Sequence, residues 1–243
     1  MARLSRQGKI EAVWVRTRLG VKQTCRVLGQ WVVAGVLGAA TRLRGRKRPA
    51  AAFNISRQAE WEQRAEDAVG LWIEAREALG AGGGRLRVAD FGAGNERLRG
   101  LLASRLRTEY DYFPYDLHPQ KLTTEPLDVR QTLPSDRFDL VFCLGLVEYL
   151  GEDYRFLQRL SECCHFACVS YVITDSSLQL TQRQREAAGW RSHLSAQQFG
   201  ALLESSNFRV VSMRRTDGDR TGLWLAESLH VSGGSPPLVS IRT

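Results

Sequence analysis

The chain has 243 residues, of which 43% are hydrophobic and 25% charged, with a formal net charge of +8. That is enough for one medium α/β domain with extensions and a sizeable core. No apolar run approaches the roughly 20 residues of a membrane-spanning helix, and five cysteines, an odd number with no secretory leader ahead of them, argue against a disulfide framework and for a reducing, cytoplasmic setting.

The charge is uneven. Residues 1–50 carry 12 Lys or Arg against one acid, Glu11, while the remaining residues hold 22 basic and 25 acidic side chains. In this arm Val21, Cys25, Leu28, Val32 and Val36 recur at helical spacing, with Arg18, Lys22 and Arg26 on another face. The pattern predicts a basic amphipathic helix, closed by the charged stretch Thr41 to Pro49. An anionic membrane surface, nucleic-acid phosphates and a solvated helix packed on the domain are the three readings. Trp14 and Trp31 on the apolar side favour the membrane over nucleic acid. An Arg-rich, acid-poor start is also the composition of an organellar transit peptide.

Residues 55–80 form a second helical pattern, and the break at Ala81 to Gly84 makes 51–84 a helical cap with a glycine linker. From Arg85 onward the chain alternates. Strands are expected at Leu86 to Phe91, Tyr110 to Asp116, Phe138 to Leu144, His165 to Ile173, Phe208 to Met213 and Leu223 to Ser228. Helices are expected at Arg97 to Arg107, at Glu152 to Cys163, and from the N-cap Ser195 to Ser205. Strands separated by helices imply right-handed crossovers and a mainly parallel sheet with helices on both faces. Cys163, Cys164, His165 and Cys168 lack the spacing of a metal site and are expected to be buried small residues.

The first strand runs into Asp90-Phe91-Gly92-Ala93-Gly94. In such a sheet, ligands sit beyond the carboxyl ends of the strands, and this turn is the usual contact point. Two bare backbones and the start of a helix favour an anionic group there. Gly94-Asn95-Glu96 lacks the Lys-Ser/Thr ending of a phosphate loop, and Arg97 replaces the third glycine of the dinucleotide fingerprint.

The pattern resembles motif I of the class I S-adenosylmethionine-dependent methyltransferases, in their small-molecule branch. The resemblance covers residues 85–231 and makes 85–243 the S-adenosylmethionine-binding domain. It implies a Rossmann-like, doubly wound α/β fold with a mainly parallel seven-stranded sheet, plus the helical N-terminal extension. Asp116 stands at the ribose position, Asp128 near the adenine amino group with Val129 beside the ring, and Leu144 and Gly145 on the methionine side. Asp90, Gly92 and Gly94 complete the implied cofactor set, with the methionine carboxylate meeting the N–H groups of the Gly92 and Gly94 turn. The family often has a third glycine soon after the second, where this chain carries Asn95, Glu96 and Arg97.

For the acceptor, Leu144 to Glu148 lacks the Asn/Asp-Pro-Pro-aromatic signature of base and glutamine N-methyltransferases. The stretch Gly145 to Leu150 instead resembles the small-molecule branch of the family, and the resemblance implies O-methylation of a small-molecule or lipid-linked acceptor. His193 is the candidate general base, since imidazole titrates in the right range. His118, Glu148, Tyr149 and Asp175 are rim candidates, and the polar stretch Thr174 to Leu194, with a surface helix at 179–188, is a candidate lid. The alternatives are an RNA methyltransferase guided by the basic arm and a non-catalytic S-adenosylmethionine-binding or scaffold protein.

Overall fold

The structure, a computed structural model, describes residues 58–79, 84–151, 153–177 and 180–230, all within one compact unit. The basic arm, residues 1–50, lies outside the described residues. So does 178–179, where the surface helix was expected to begin.

Helix α1, Gln58–Ala78, comes first. Trp61, Ala65, Ala68, Val69 and Trp72 recur along one side of it, and that side is buried against the sheet. The chain then alternates through β1 (Leu86–Phe91), α2 (Arg97–Arg105), β2 (Tyr110–Asp116), a two-residue β3 (Glu125–Pro126) and β4 (Phe138–Cys143). A 3₁₀ turn at Val147–Tyr149 precedes α3 (Asp153–Cys163) and β5 (Cys164–Val172). Helices α4 (Gln182–Ala187) and α5 (Ala196–Ser205) lead to β6 (Phe208–Thr216) and β7 (Thr221–Ser228).

The sheet runs β3-β2-β1-β4-β5-β7-β6. β7 is antiparallel to both β5 and β6, and the other pairs are parallel. Successive side chains of a strand face opposite sides, so the inner strands divide their apolar residues between two cores. Val88, Leu140, Phe142 and Cys168 face α1 and α2. Ala89, Phe91, Val141, Cys143 and Val169 face Phe156, Leu157 and Leu160 of α3 and Phe199 and Leu203 of α5. Helices therefore cover both faces, and the doubly wound architecture is the one implied by the sequence.

Two differences from the expected elements have local causes. The last two strands are longer, because they form a hairpin whose turn takes Asp217, Gly218 and Asp219 through positive φ, a conformation that Asp and Gly accept readily. The helix at 179–188 shrinks to Gln182–Ala187, because Thr181 caps it: its hydroxyl accepts from Gln184 N while Gln184 returns a bond to the Thr181 backbone. Ser195 caps α5 in the same way with Gln198. Among the described residues no helix is long and apolar enough to cross a membrane.

Candidate functional site

Strands β1, β2 and β4 end side by side, so the loops after them share one edge of the sheet. Gly92 and Gly94 both have positive φ, which lets the chain turn sharply from β1 into α2. The N–H groups of Gly92, Ala93, Gly94 and Glu96 are spent internally. Gly92 N and Ala93 N donate to Tyr115 O at 2.8 and 3.0 Å, Gly94 N donates to Asp116 Oδ2 at 2.8 Å, and Glu96 N donates to Ala93 O at 2.8 Å. The expectation that Gly92 and Gly94 offer their amides to a carboxylate is thereby corrected. Their amides fasten β1 to β2, and what they leave to a ligand is close approach to bare backbone.

Glu96 explains how the chain manages without a third glycine. It adopts φ 58°, the left-handed region that costs a side-chain-bearing residue about 1–2 kcal/mol. Its carboxylate offsets that cost. It is buried, accepts from Thr124 Oγ1 at 2.6 Å and from Thr123 Oγ1, and pairs with Arg99 at 2.8 Å. Burial opposes its ionisation, but these hydrogen bonds outweigh burial and hold the group below its ordinary pKa. The side chain thus ties the glycine turn to the loop that follows β2.

The three strand-end acids differ in state. Asp90 is 5% exposed, and burial raises its pKa to about 7, with Asp116 and Glu96 adding to the rise and a 2.5 Å hydrogen bond from Tyr112 Oη opposing it. Asp116 is half-buried. Its Oδ2 accepts from Gly94 N and its Oδ1 from His118 N at 2.8 Å, and each oxygen keeps a further acceptor site for a hydroxyl. Asp128 follows the short strand β3 and is gripped by Arg130 through Nε at 2.8 Å and Nη2 at 2.7 Å, which lowers its pKa to about 2. Val129 beside it is buried, and its carbonyl accepts from Arg159.

Leu144 and Gly145 follow β4. Leu144 is buried, and Gly145 N donates to Ser170 Oγ at 2.7 Å. The next residue, Leu146, packs beside Gly92, with Leu146 Cδ1 lying 3.5 Å from where a Cβ on Gly92 would stand. Gly145 has φ 71°, and a Cβ there would come within 2.9 Å of Arg64 Nη1. Only glycine allows that approach. Arg64 is 5% exposed, and its Nε and Nη2 are bound by Asp217 of the β6–β7 turn. Glu148, one turn past Gly145, is 1% exposed, and its Oε2 has no hydrogen-bond partner. Burial raises its pKa to about 7 although the charges of Arg64 and Arg185 oppose the rise.

The candidate lid is held from beneath. Arg185 of α4 is 1% exposed, donates from Nη1 to Ile173 O at 3.0 Å and from Nη2 to Val172 O, and stacks over Trp190 at 5.0 Å. Its Nε donates to His193 Nδ1 at 3.2 Å. In that arrangement the proton of a neutral imidazole sits on Nε2, and the ring has no free lone pair. One more buried polar atom beside this stretch lacks a partner, Asp153 Oδ1. Of the rim candidates, Asp175 is taken up structurally, accepting from Ala196 N at 2.8 Å and pairing with Arg215, while His118 is exposed and Tyr149 half-buried. Cys163, Cys164 and Cys168 are buried, each thiol facing a backbone carbonyl, and His165 is a β5 residue.

The sequence reading missed Arg64, Asp153, Arg185 and Trp190. One signal existed for Arg64: it shares the apolar side of α1 with Trp61, Ala68 and Trp72, where a cation needs a partner.

The sequence matches no family model and no curated protein. Its fold has clear relatives among solved structures. The crystal structure of the CurJ carbon methyltransferase superposes with a TM-score of 0.54 at 13% identity, over 68% of this chain and 54% of that one. A methyltransferase of Haloferax volcanii, seen in complex with the Trm112 activator, gives 0.52 at 13% identity over 74% and 100%. An S-adenosylmethionine-dependent methyltransferase from Clostridium acetobutylicum gives 0.50 at 9% identity over 68% and 91%. The chain spans about half the length of the CurJ structure. At these identities the likeness establishes the fold, which is that of the class I methyltransferases.

Proposed function

We propose that this chain binds S-adenosyl-L-methionine and transfers its methyl group to an oxygen of a small-molecule or lipid-linked acceptor. The observation that carries the reading is the arrangement of the strand ends, with two bare glycines and the acid Asp116 meeting side by side in a sheet of the methyltransferase order. The residues present suit a nucleoside joined to an amino acid. Asp116 has acceptor capacity for two ribose hydroxyls, Val129 offers an apolar wall, and Asp128 offers an acceptor beside it. Gly92 and Gly94, both at positive φ, keep the turn free of side chains, and Leu144 and Gly145 line the amino-acid side.

The bound cofactor would supply an activated methyl group on a sulfonium. The chain's own work is alignment and exclusion of water. The segment from Thr174 to Leu194, latched by Arg185, covers the side on which the acceptor enters. His193 takes the hydroxyl proton in this reading, and the Arg185 to His193 hydrogen bond opens to free the lone pair. The basic arm, residues 1–50, holds the protein at an anionic membrane surface facing the cytoplasm.

Calorimetry on the full chain with S-adenosylmethionine, S-adenosylhomocysteine and NAD tests the cofactor. The two sulfur ligands are expected to bind and NAD is not; binding of NAD alone overturns the reading. Asp116→Ala is expected to weaken S-adenosylhomocysteine by about 10-fold or more through lost ribose hydrogen bonds. For the arm, reversing Arg42, Arg44, Arg46, Lys47 and Arg48 to Glu is expected to abolish flotation with phosphatidylglycerol vesicles. Undiminished flotation removes the membrane role.

A further inference from the structure

Because the amides of the glycine turn are committed to Tyr115 and Asp116, the charged amino-acid end of the ligand needs other partners. Two buried charged groups lie by the loop after β4, whose Leu146 packs on that turn. Arg64 spends Nε and Nη2 on Asp217 and directs Nη1 at Gly145, where no side chain stands between it and the loop. Glu148 keeps one carboxylate oxygen without a partner at 1% exposure, a position that costs free energy unless something donates to it. One cation and one carboxylate thus flank Gly145, and Gly145 precedes the residue that packs on Gly92.

We propose that Arg64 and Glu148 form a zwitterion clamp that holds the α-carboxylate and α-ammonium of the cofactor's methionine end. The inference rests on the cofactor reading above and adds to it a site built from α1 and the loop after β4. Arg64 donates to the carboxylate, and Glu148 accepts from the ammonium through its unpartnered oxygen. Asp217 keeps the guanidinium oriented. The charged groups facing Glu148 are Arg64 from α1, Arg185 from α4 and Asp153 from α3. Without a ligand, Glu148 titrates at about 7, so it is partly protonated at neutral pH. An ammonium beside it favours the ionised form, and binding releases that proton to solvent.

The test uses the full chain and two ligands, S-adenosylhomocysteine and 5′-methylthioadenosine, which share the nucleoside but not the amino-acid end. For wild type, titration at pH 7 in buffers of different ionisation enthalpy is expected to show proton release with the first ligand that is absent with the second. Arg64→Met is expected to weaken S-adenosylhomocysteine by about 10- to 100-fold while leaving 5′-methylthioadenosine within about 2-fold. Because that change strands Asp217, the same comparison is made in Arg64→Met/Asp217→Asn. Glu148→Gln, nearly isosteric, is expected to abolish the proton release. Equal losses for the two ligands, or no loss and unchanged proton release, overturn the clamp while leaving the cofactor reading intact. If wild type binds neither ligand, both fall together.

Discussion

The two halves of the proposed site are built on opposite plans. On the proposed adenosine side, from Asp90 to Val129, polar groups are paired within the protein: the glycine turn with Tyr115 and Asp116, Glu96 with Thr123 and Thr124, Asp128 with Arg130. On the other side, past Gly145, Glu148 Oε2 and Asp153 Oδ1 are buried without partners. Paired groups fix a shape before any ligand arrives, whereas unpaired buried groups mark where a ligand has bonds still to make. The first half is a rigid seat and the second is a set of open valences.

The comparison can be broken most forcefully at the latch of the open half. Arg185→Ala removes a buried guanidinium from two strand-end carbonyls and His193, and is expected to cost about 3 kcal/mol of stability. Hydrogen exchange should accelerate over 174–194 well before the sheet; a uniform change would mean that this segment is no separate unit. Glu96→Ala probes the paired half at smaller cost, about 2 kcal/mol, because the carboxylate's bonds vanish while the left-handed strain stays. Glu96→Gly removes the strain as well and is expected to melt above the alanine variant by about 1 kcal/mol equivalent.

The mildest change is one of pH. Asp90 titrates at about 7 in the fold and near 4 when unfolded. The native state therefore holds this proton more tightly, and the group's destabilising contribution is absent below about pH 4, grows as pH rises, and is complete above about pH 7. Asp90→Asn is expected to raise the melting temperature at pH 8 and to leave it nearly unchanged at pH 4. An equal shift at both values would show that Asp90 is ionised throughout.

These halves also differ in how far the sequence reveals them. The doubly wound fold, the Ser195 cap and the strand-end acids are legible because each rests on neighbours: alternating apolar residues, Ser195 three positions before Gln198, an acid two residues before a glycine. The commitment of the turn amides to β2 was not, since it depends on the register that sets Phe91 against Tyr115. Arg64 is harder still. Its partner Asp217 is 153 residues away, and its opening toward the loop depends on what Gly145 lacks. His193 shows the same limit, because the neighbour that occupies its ring nitrogen, Arg185, reads in sequence as one more polar residue of a surface helix.

The Glu96 tie also bears on how this chain and its descendants can vary. A glycine at position 96 would release the hydroxyls at 123 and 124 from any duty to it, and an apolar pair could then replace them. With glutamate there, losing either threonine strips a bond from a buried carboxylate that already sits in a costly backbone conformation. The three positions should therefore drift as a set, so that a glycine-for-glutamate exchange opens the way to new residues some 27 positions downstream.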